Sequence, residues 1–309
     1  MGIRNLNKYL MKHCNKSITK INLDKLTNKT IVVDTSIYLY RFLTENALLE
    51  NMYLLISILL HYNIEPIFVF DGKPPVEKQD TINKRKQERV EANEQYKYYE
   101  NLLLNEDEYN KRNKIELKLK QLKRQIVSVN KQHIFIIKRL LEGFGIKYVE
   151  SKGEADTLCA ELVNTNKAWG CLSDDTDMFV YGCKFVLRQL NLIKHTVLLY
   201  DTESIIQELN IKKLDFVQIL VVSSNDYNTI NIGVGEMITL YRKYIKDNVI
   251  YSFYIWLLKS TKYITDYTKL IDVYKNYKYY ENKNIEIIQK NKNMDLVKDI
   301  MIDEGFIFV

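Results

Sequence analysis

Proline is nearly absent, at 3 residues in 309, and glycine is held to 10. So little turn chemistry argues against an all-β fold and against long flexible linkers. Cysteine is equally scarce. Cys14, Cys159, Cys171 and Cys183 show no C-x-x-C spacing, and the 4 histidines complete no zinc set. Free thiols in a reducing compartment are the simplest account. No G-x-x-x-x-G-K-[ST] run is present to cradle a nucleotide phosphate. The most apolar stretch, Met52 to Phe70, is broken by His61, Asn63, Glu65 and Pro66 and is too polar to span a bilayer, so no membrane partner is expected. The opening residues lack a signal-peptide hydrophobic region, and Leu6 stands where a myristoylation signal needs Ser or Thr.

What is present is a soluble balance: 46% hydrophobic and 27% charged, with a net charge of +6. One large domain, or a core with an insertion, fits this length. The positive balance suits an anionic partner, although an ordinary Lys-rich surface produces the same number. The 23 tyrosines accompany many Lys, Asn and Ile, a bias expected of AT-rich coding, so tyrosine alone says little.

The apolar pattern predicts a mainly parallel sheet. Thr30 to Val33 forms a buried strand ending at Asp34. Leu48 to Tyr62 has helical periodicity, and Ile67 to Phe70 is a second strand ending at Asp71-Gly72. Helix between two apolar strands is the βαβ signature. From Val76 to Lys131 the chain turns charged and helical, with a thin apolar stripe, and reads as an insertion protruding from the sheet. His133 to Phe144 returns to a core-facing helix. Ile146 to Val149 and Trp169 to Leu172 are strands flanking a helix from Glu154 to Val163. Phe185 to Arg188 and Thr196 to Tyr200 form a strand pair, and Phe216 to Val222 is an apolar helix.

Acidic residues recur where these elements end. Asp34 and Asp71 follow strands, Asp175 and Asp177 follow another, Glu154 and Asp156 open a helix, and Asp226 follows an apolar helix. Sites in open α/β sheets form at the carboxyl ends of the strands. One such Asp is usually a cap or turn residue; seven are hard to assign to coincidence. Asp174 is left as the turn or cap residue of its run. Converging carboxylates repel one another, and Mg²⁺ or Mn²⁺ with oxygen ligands relieves this. Two such ions activate water and stabilise a leaving oxygen in phosphodiester hydrolysis. Glu154 and Asp156 are two apart and do not share a face on a regular helix. Either one binds metal directly and the other acts through water, or the first turn is irregular.

These residues lie in motifs. The opening MGIRNL, VVDTS with Asp34, FVFDGKPP with Asp71, NKQH at 130–133, GEAD with Glu154 and Asp156, SDDTD with Asp175 and Asp177, and SNDY with Asp226 followed by Gly233-Val234-Gly235 occur in this order. In this the chain resembles the flap endonuclease (FEN/XPG-type, structure-specific 5′ nuclease) family over roughly residues 1 to 240, and is most similar to its flap endonuclease branch. The resemblance implies a PIN-type α/β nuclease fold with a mainly parallel central sheet, a helical arch and a helix–two-turn–helix element. It implies an N-terminal nuclease half (1–75), a gateway and arch (76–132), an internal half (133–246) and a C-terminal helical extension (247–309).

It further implies that the seven acids hold two Mg²⁺ ions, with Mn²⁺ able to substitute, and that Lys78 and Arg85 are the basic arch residues reaching the scissile phosphate. Tyr40 would stack on a nucleobase, the amine of Gly2 would sit near the site after Met removal, and Arg188 would be a basic DNA contact. Gly233 and Gly235 would grip the duplex backbone. There the chain departs from the pattern. Glu236-Met237 replaces the usual Pro-Lys and Ile230 stands at a hydroxyl position, which weakens the expectation of a potassium (K⁺) site. No sliding-clamp peptide is found, the ending Glu304 to Val309 lacking its Gln spacing. The Tyr/Lys-rich stretch Lys275 to Asn284 is better ascribed to compositional bias than to nucleic-acid contact.

The implied partner is branched DNA (5′ flap, nicked or gapped duplex), cut by a monomer in replication, repair or recombination, in the nucleus or at a viral DNA replication site. The long interval between Asp71 and Glu154 favours a full arch over the junction-resolving branch, and DGKPP and NKQH disfavour the exonuclease-1-like branch. A non-catalytic nucleic-acid-binding scaffold would have lost some of the seven acids. A PIN-type ribonuclease shares the sheet and the acids.

Overall fold

The computed structural model describes residues 2–75, 78–106, 108–228, 230–264, 266–277 and 285–307. The expected start of the insertion at Val76, the part of the Lys275 to Asn284 stretch beyond Tyr277, and the last two residues of the Glu304 to Val309 ending lie outside them.

The chain opens with helix α1 (Leu6–His13), strand β1 (Ile18–Asn22) and strand β2 (Thr30–Asp34). Helices α2 (Thr35–Thr44) and α3 (Leu48–His61) lead to β3 (Glu65–Phe70). A helical hairpin, α4 (Gln79–Leu104) and α5 (Tyr109–Ile126), then leaves the sheet before α6 (Lys131–Phe144) and β4 (Lys147–Glu150) rejoin it. Next come α7 (Ala155–Asn164), β5 (Gly170–Leu172), the short α8 (Asp177–Val180) and the strands β6 (Phe185–Asn191) and β7 (Thr196–Asp201). Helices α9 (Thr202–Leu209), α10 (Lys213–Val222), α11 (Val234–Asp247), α12 (Phe253–Ser260), α13 (Tyr267–Asn276) and α14 (Met294–Asp303) complete the described chain.

The strands form one seven-stranded sheet in the order β1-β7-β6-β5-β2-β3-β4. The five strands from β6 to β4 are parallel neighbours, and β7 and β1 add an antiparallel edge. The fold is therefore the mainly parallel α/β architecture expected. Side chains alternate between two cores. Val32, Ile67 and Val69 pack on one face with Leu6, Cys159, Phe179 and Phe216. Ile31, Val33, Phe68 and Phe70 pack on the other with Leu55, Leu140 and Met301. Burial on both faces is why the parallel strands read as continuous apolar runs. At the β4 edge, Tyr148 bridges to Ile288, and α14 packs against α6.

The charged insertion is a two-helix arch. Between its helices only Ala92 and Leu122 are buried among the described residues, matching the thin apolar stripe. Arg112 closes its tip by donating to the carbonyls of Leu103 (3.1 Å) and Glu106 (2.8 Å), groups that a helix end leaves without partners. The NKQH run has a structural role of its own. Asn130 caps α6 by accepting from the His133 amide (2.9 Å), while the Asn130 amide donates to His133 Nδ1 (3.3 Å). This reciprocal box aims α6 back under the sheet. Asn130→Ala should lower stability by about 1 kcal/mol, visible as a lower midpoint in urea with an unchanged slope.

Candidate carboxylate site and its cationic rim

The acids gather at the carboxyl end of the parallel strands, and the local structure explains how. Asp34 is the last residue of β2, on the same face as Val32, and is buried at 6% exposure. Its carboxylate accepts from Ser173 Oγ (2.9 Å), at the end of the neighbouring β5. Asp71 follows β3. It accepts from Ser36 Oγ (2.5 Å) and from the Ala155 amide (2.7 Å), so it caps α7 from a different segment of the chain. Gly72 permits this approach: a methyl group built there would fall 2.0 Å from the Ser151 carbonyl oxygen. Asp175 Oδ1 accepts from the Asp177 amide (3.0 Å), folding the SDDTD turn onto itself.

Glu154 and Asp156 do not lie two apart on a regular helix. Glu154 is the residue before α7, with extended φ −75° and ψ 144°, and Asp156 sits in the first turn. Because Glu154 precedes the helix, the restriction on residues two apart within a helix does not apply to this pair. Both oxygens of Glu154 are engaged, by Lys78 Nζ (2.6 Å) and by the Tyr227 hydroxyl (2.6 Å). Asp226 Oδ2 accepts from Arg85 Nη2 (2.9 Å). The arch therefore plants its two expected cations on two of the expected ligands.

The electrostatics follow from crowding. Burial, then Asp71 and Asp156, hold the Asp34 carboxyl well above the usual carboxylate range, against the pull of Ser173. Burial and then Glu154 push Asp156 up to about 7, with Lys78 opposing. Burial, Asp175 and Asp156 raise Asp177 well above the usual range. Burial would depress Lys78, but Asp156 and Glu154 outweigh it and the ammonium is held more firmly than usual.

This pocket suits a hard cation. Its donors are carboxylate oxygens, and Asp177 Oδ1 is buried without a hydrogen-bond partner among the described residues, a costly state unless a ligand satisfies it. As they stand, no three or more His, Cys, Asp or Glu side chains among the described residues are grouped to hold a metal. Asp71, Glu154 and Asp226 are turned onto Ser36, Lys78 and Arg85 instead.

Other expected contacts fare differently. Gly2 lies against the pocket: a methyl group built there would meet Asp175 Oδ1 at 2.3 Å and Asp177 Oδ1 at 2.8 Å. Tyr40, 36% exposed, lines a cleft of about 540 Å³ at the foot of the arch, with Arg85, Arg89 and Arg124 set against Glu88 and Glu91. Arg89 and Arg124 were not anticipated, and their only sequence signal is a place within charge clusters. Arg188 corrects an expectation. It is buried, donates to the Asp174 carbonyl (2.5 Å) and lies over the Tyr200 ring, so it braces the sheet behind the site rather than meeting solvent. Asp174 Oδ1 accepts from the Gln189 amide, consistent with a turn role.

At the other rim, Asn225 and Asn228 tie the loop between α10 and α11 to the carbonyls of Val221 and Ser223. Gly233 has φ −81°, open to any residue, so a tight turn is not its reason. Gly235 packs closely on Tyr9, and a methyl group there would lie 3.2 Å from its ring, so the ring would have to shift slightly. Glu236 accepts from the Tyr263 hydroxyl (2.7 Å), and Met237, where the resemblance expects Lys, is buried in the core.

Fold and site together define a mainly parallel α/β protein with a carboxylate pocket under a two-helix arch. The XPG N-terminal domain model matches residues 1–92 and the XPG I-region model matches residues 145–226. Flap endonuclease 1 of Glycine max is 30% identical over 259 residues, 78% of this chain; the chain spans 65% of that relative's length. Among solved structures, the catalytic core of Rad2 in complex with DNA substrate superposes with a TM-score of 0.69 at 23% identity, covering 98% of this chain and 95% of that one. The Holliday junction-resolving enzyme GEN1, in complex with product DNA and Mg²⁺, gives 0.52 at 18% identity, covering 97% and 64%. At these identities the structural likeness concerns the fold. The chain belongs to the FEN/XPG-type nuclease family.

The uncompensated charge in the pocket makes a stability prediction. Asp177→Asn removes a repelled, buried carboxylate, so in EDTA the variant should melt higher by about 1–2 °C, for a gain of order 1 kcal/mol. The difference should shrink when Mg²⁺ is added, because only the parent gains a ligand; calorimetry in both conditions checks this.

Proposed function

We propose that this chain is a structure-specific 5′ nuclease that hydrolyses a DNA phosphodiester where a single-stranded 5′ flap meets duplex, leaving 3′-hydroxyl and 5′-phosphate ends. The observation that carries this reading is the descent of Lys78 and Arg85 from the arch onto a pocket of seven carboxylates. Asp34, Asp71, Glu154, Asp156, Asp175, Asp177 and Asp226 would hold two Mg²⁺ ions, with Mn²⁺ able to substitute. Such ions supply an activated water and stabilise the leaving oxygen.

The chain's own residues do the rest. Lys78 and Arg85 neutralise the carboxylates at rest, and as fixed cations at the pocket mouth they orient the scissile phosphate and stabilise its developing charge. Tyr40 offers an exposed ring on which the base beside the cut can stack, a contact worth about 1–3 kcal/mol. Arg89 and Arg124 draw the single strand through the cleft at the foot of the arch. The loop between α10 and α11 approaches the duplex backbone with its asparagine-braced turn, without the family's lysine. Four buried thiols suit a reducing compartment such as the nucleus or a viral DNA replication site.

The test uses one labelled 5′-flap DNA. With Mg²⁺, Asp175→Asn should cut at least about a hundredfold more slowly while binding the flap as before; near-parental turnover would defeat the assignment. A bulky block on the 5′ end should suppress cleavage if the strand passes through the arch. Equal rates on flap, nicked, gapped and four-way substrates would refute the flap preference.

A further inference from the structure

The tyrosine of the SNDY run has so far been assigned no role. Its hydroxyl donates to Glu154 Oε2 at 2.6 Å. The Lys78 ammonium, which holds the other oxygen of the same carboxylate at 2.6 Å, lies 4.6 Å from the centre of the Tyr227 ring. The ring's far side meets Tyr277 edge-on at 5.1 Å, and the Tyr227 amide is fixed by Asn225 Oδ1 at 2.9 Å. Tyr227 is thus held by its backbone and by its ring, and it touches two expected functional groups that come from different parts of the chain. One is the base of the arch; the other is the start of α7.

We propose that Tyr227 is a positioning residue that couples the arch cation to the carboxylate pocket: its phenol orients Glu154 and its ring seats Lys78. Each half has a separate physical basis. A phenol donating to a carboxylate is a charge-assisted hydrogen bond, stronger and more directional than a neutral one. An ammonium over an aromatic face is attracted by the ring quadrupole, the more so when partly removed from water, and Lys78 is only 8% exposed. With Lys78 drawn away towards a phosphate, the phenol still holds one oxygen of Glu154, so the carboxylate keeps its direction. Groups that orient a metal-binding carboxylate from behind typically govern affinity by about 10–100-fold. The inference rests on the proposed nuclease reading for its purpose, but its core, the coupling of Lys78 to Glu154 through Tyr227, can be read without cleavage.

Two measurements on the full chain decide it. The first is Mn²⁺ binding to the DNA-free protein, followed by electron paramagnetic resonance. Tyr227→Phe keeps the ring and loses the hydroxyl, and should weaken Mn²⁺ binding about tenfold. The second is a double-mutant cycle in EDTA with Lys78→Ala and Tyr227→Leu, read by urea unfolding. The two stability changes should be clearly non-additive, whereas Lys78→Ala with Tyr227→Phe should be closer to additive, since the ring remains. Parental Mn²⁺ affinity in Tyr227→Phe, or additivity in the Tyr227→Leu cycle, overturns the proposal. If the parent protein cuts no flap DNA yet these shifts appear, the proposed function fails and the positioning role stands. In an active parent, the same variant should need about tenfold more Mg²⁺ for half-maximal cleavage yet reach a rate within about threefold of the parent's at saturation, a split that a general loss of structure would not produce.

Discussion

Mutual repulsion among buried carboxylates is the constraint around which the rest of the structure is arranged. Three of them, Asp34, Asp156 and Asp177, are held above the ordinary carboxylate range by burial and by one another. Such a cluster opposes folding unless something balances it. The balance comes from outside the sheet. Lys78 and Arg85 descend from the arch, Ser36 and Ser173 donate hydroxyls, and the amide of Ala155 points its helix terminus at Asp71. Two of these five groups, Lys78 and Arg85, are the ones the proposed function assigns to an anionic substrate. A basic arch resting on an acidic pocket makes ion-pair formation at rest and phosphate recognition competing uses of the same two cations.

The sheet makes this convergence possible. Parallel strands deliver their carboxyl ends to one edge, and β2 lies between β5 and β3 at the centre of the five parallel strands. Asp34 ends β2, Asp71 follows β3, and the β5 turn carries Asp175 and Asp177. Residues far apart in the chain thus share one buried, strongly acidic pocket. The close approaches at Gly2 and Gly72 belong to the same packing problem. In both places a side chain would occupy the space that a carboxylate or a neighbouring carbonyl needs.

Much of this was legible from the sequence, for identifiable reasons. Strands such as Thr30–Asp34 and Glu65–Phe70 are buried on both faces and leave unbroken apolar runs, so the acids that terminate them stood out. The edge strand β1 did not: Ile18–Asn22 is half exposed, with Thr19 and Lys20 exposed, and pairs only with β7. Helix α2 was missed because its buried residues, Thr35, Tyr38, Leu39 and Phe42, are interleaved with polar ones. Arg188, which the resemblance implies to be a DNA contact, shares a buried face of β6 with Val186, so strand periodicity is the better guide to its place. Tyr227 was visible within SNDY, but nothing in the linear order says that its hydroxyl meets a glutamate 73 positions earlier.

Family resemblance and physical reading also divide the chain differently. NKQH serves as a motif of the resemblance, yet its Asn and His form a helix cap, so its recurrence would follow from the need to aim α6 and not from chemistry. The glycines of the α10–α11 loop carry a related lesson. Gly235 packs closely on Tyr9, and Gly233 has an unremarkable backbone. The loop is held by Asn225 and Asn228 on the last carbonyls of α10, and its Glu236 is occupied by Tyr263. With Met237 at the position of the expected lysine and an acid beside it, this rim carries less positive charge than the resemblance implies. Exposed positive charge lies instead at the foot of the arch, where Arg85, Arg89 and Arg124 line one cleft with Tyr40, Glu88 and Glu91.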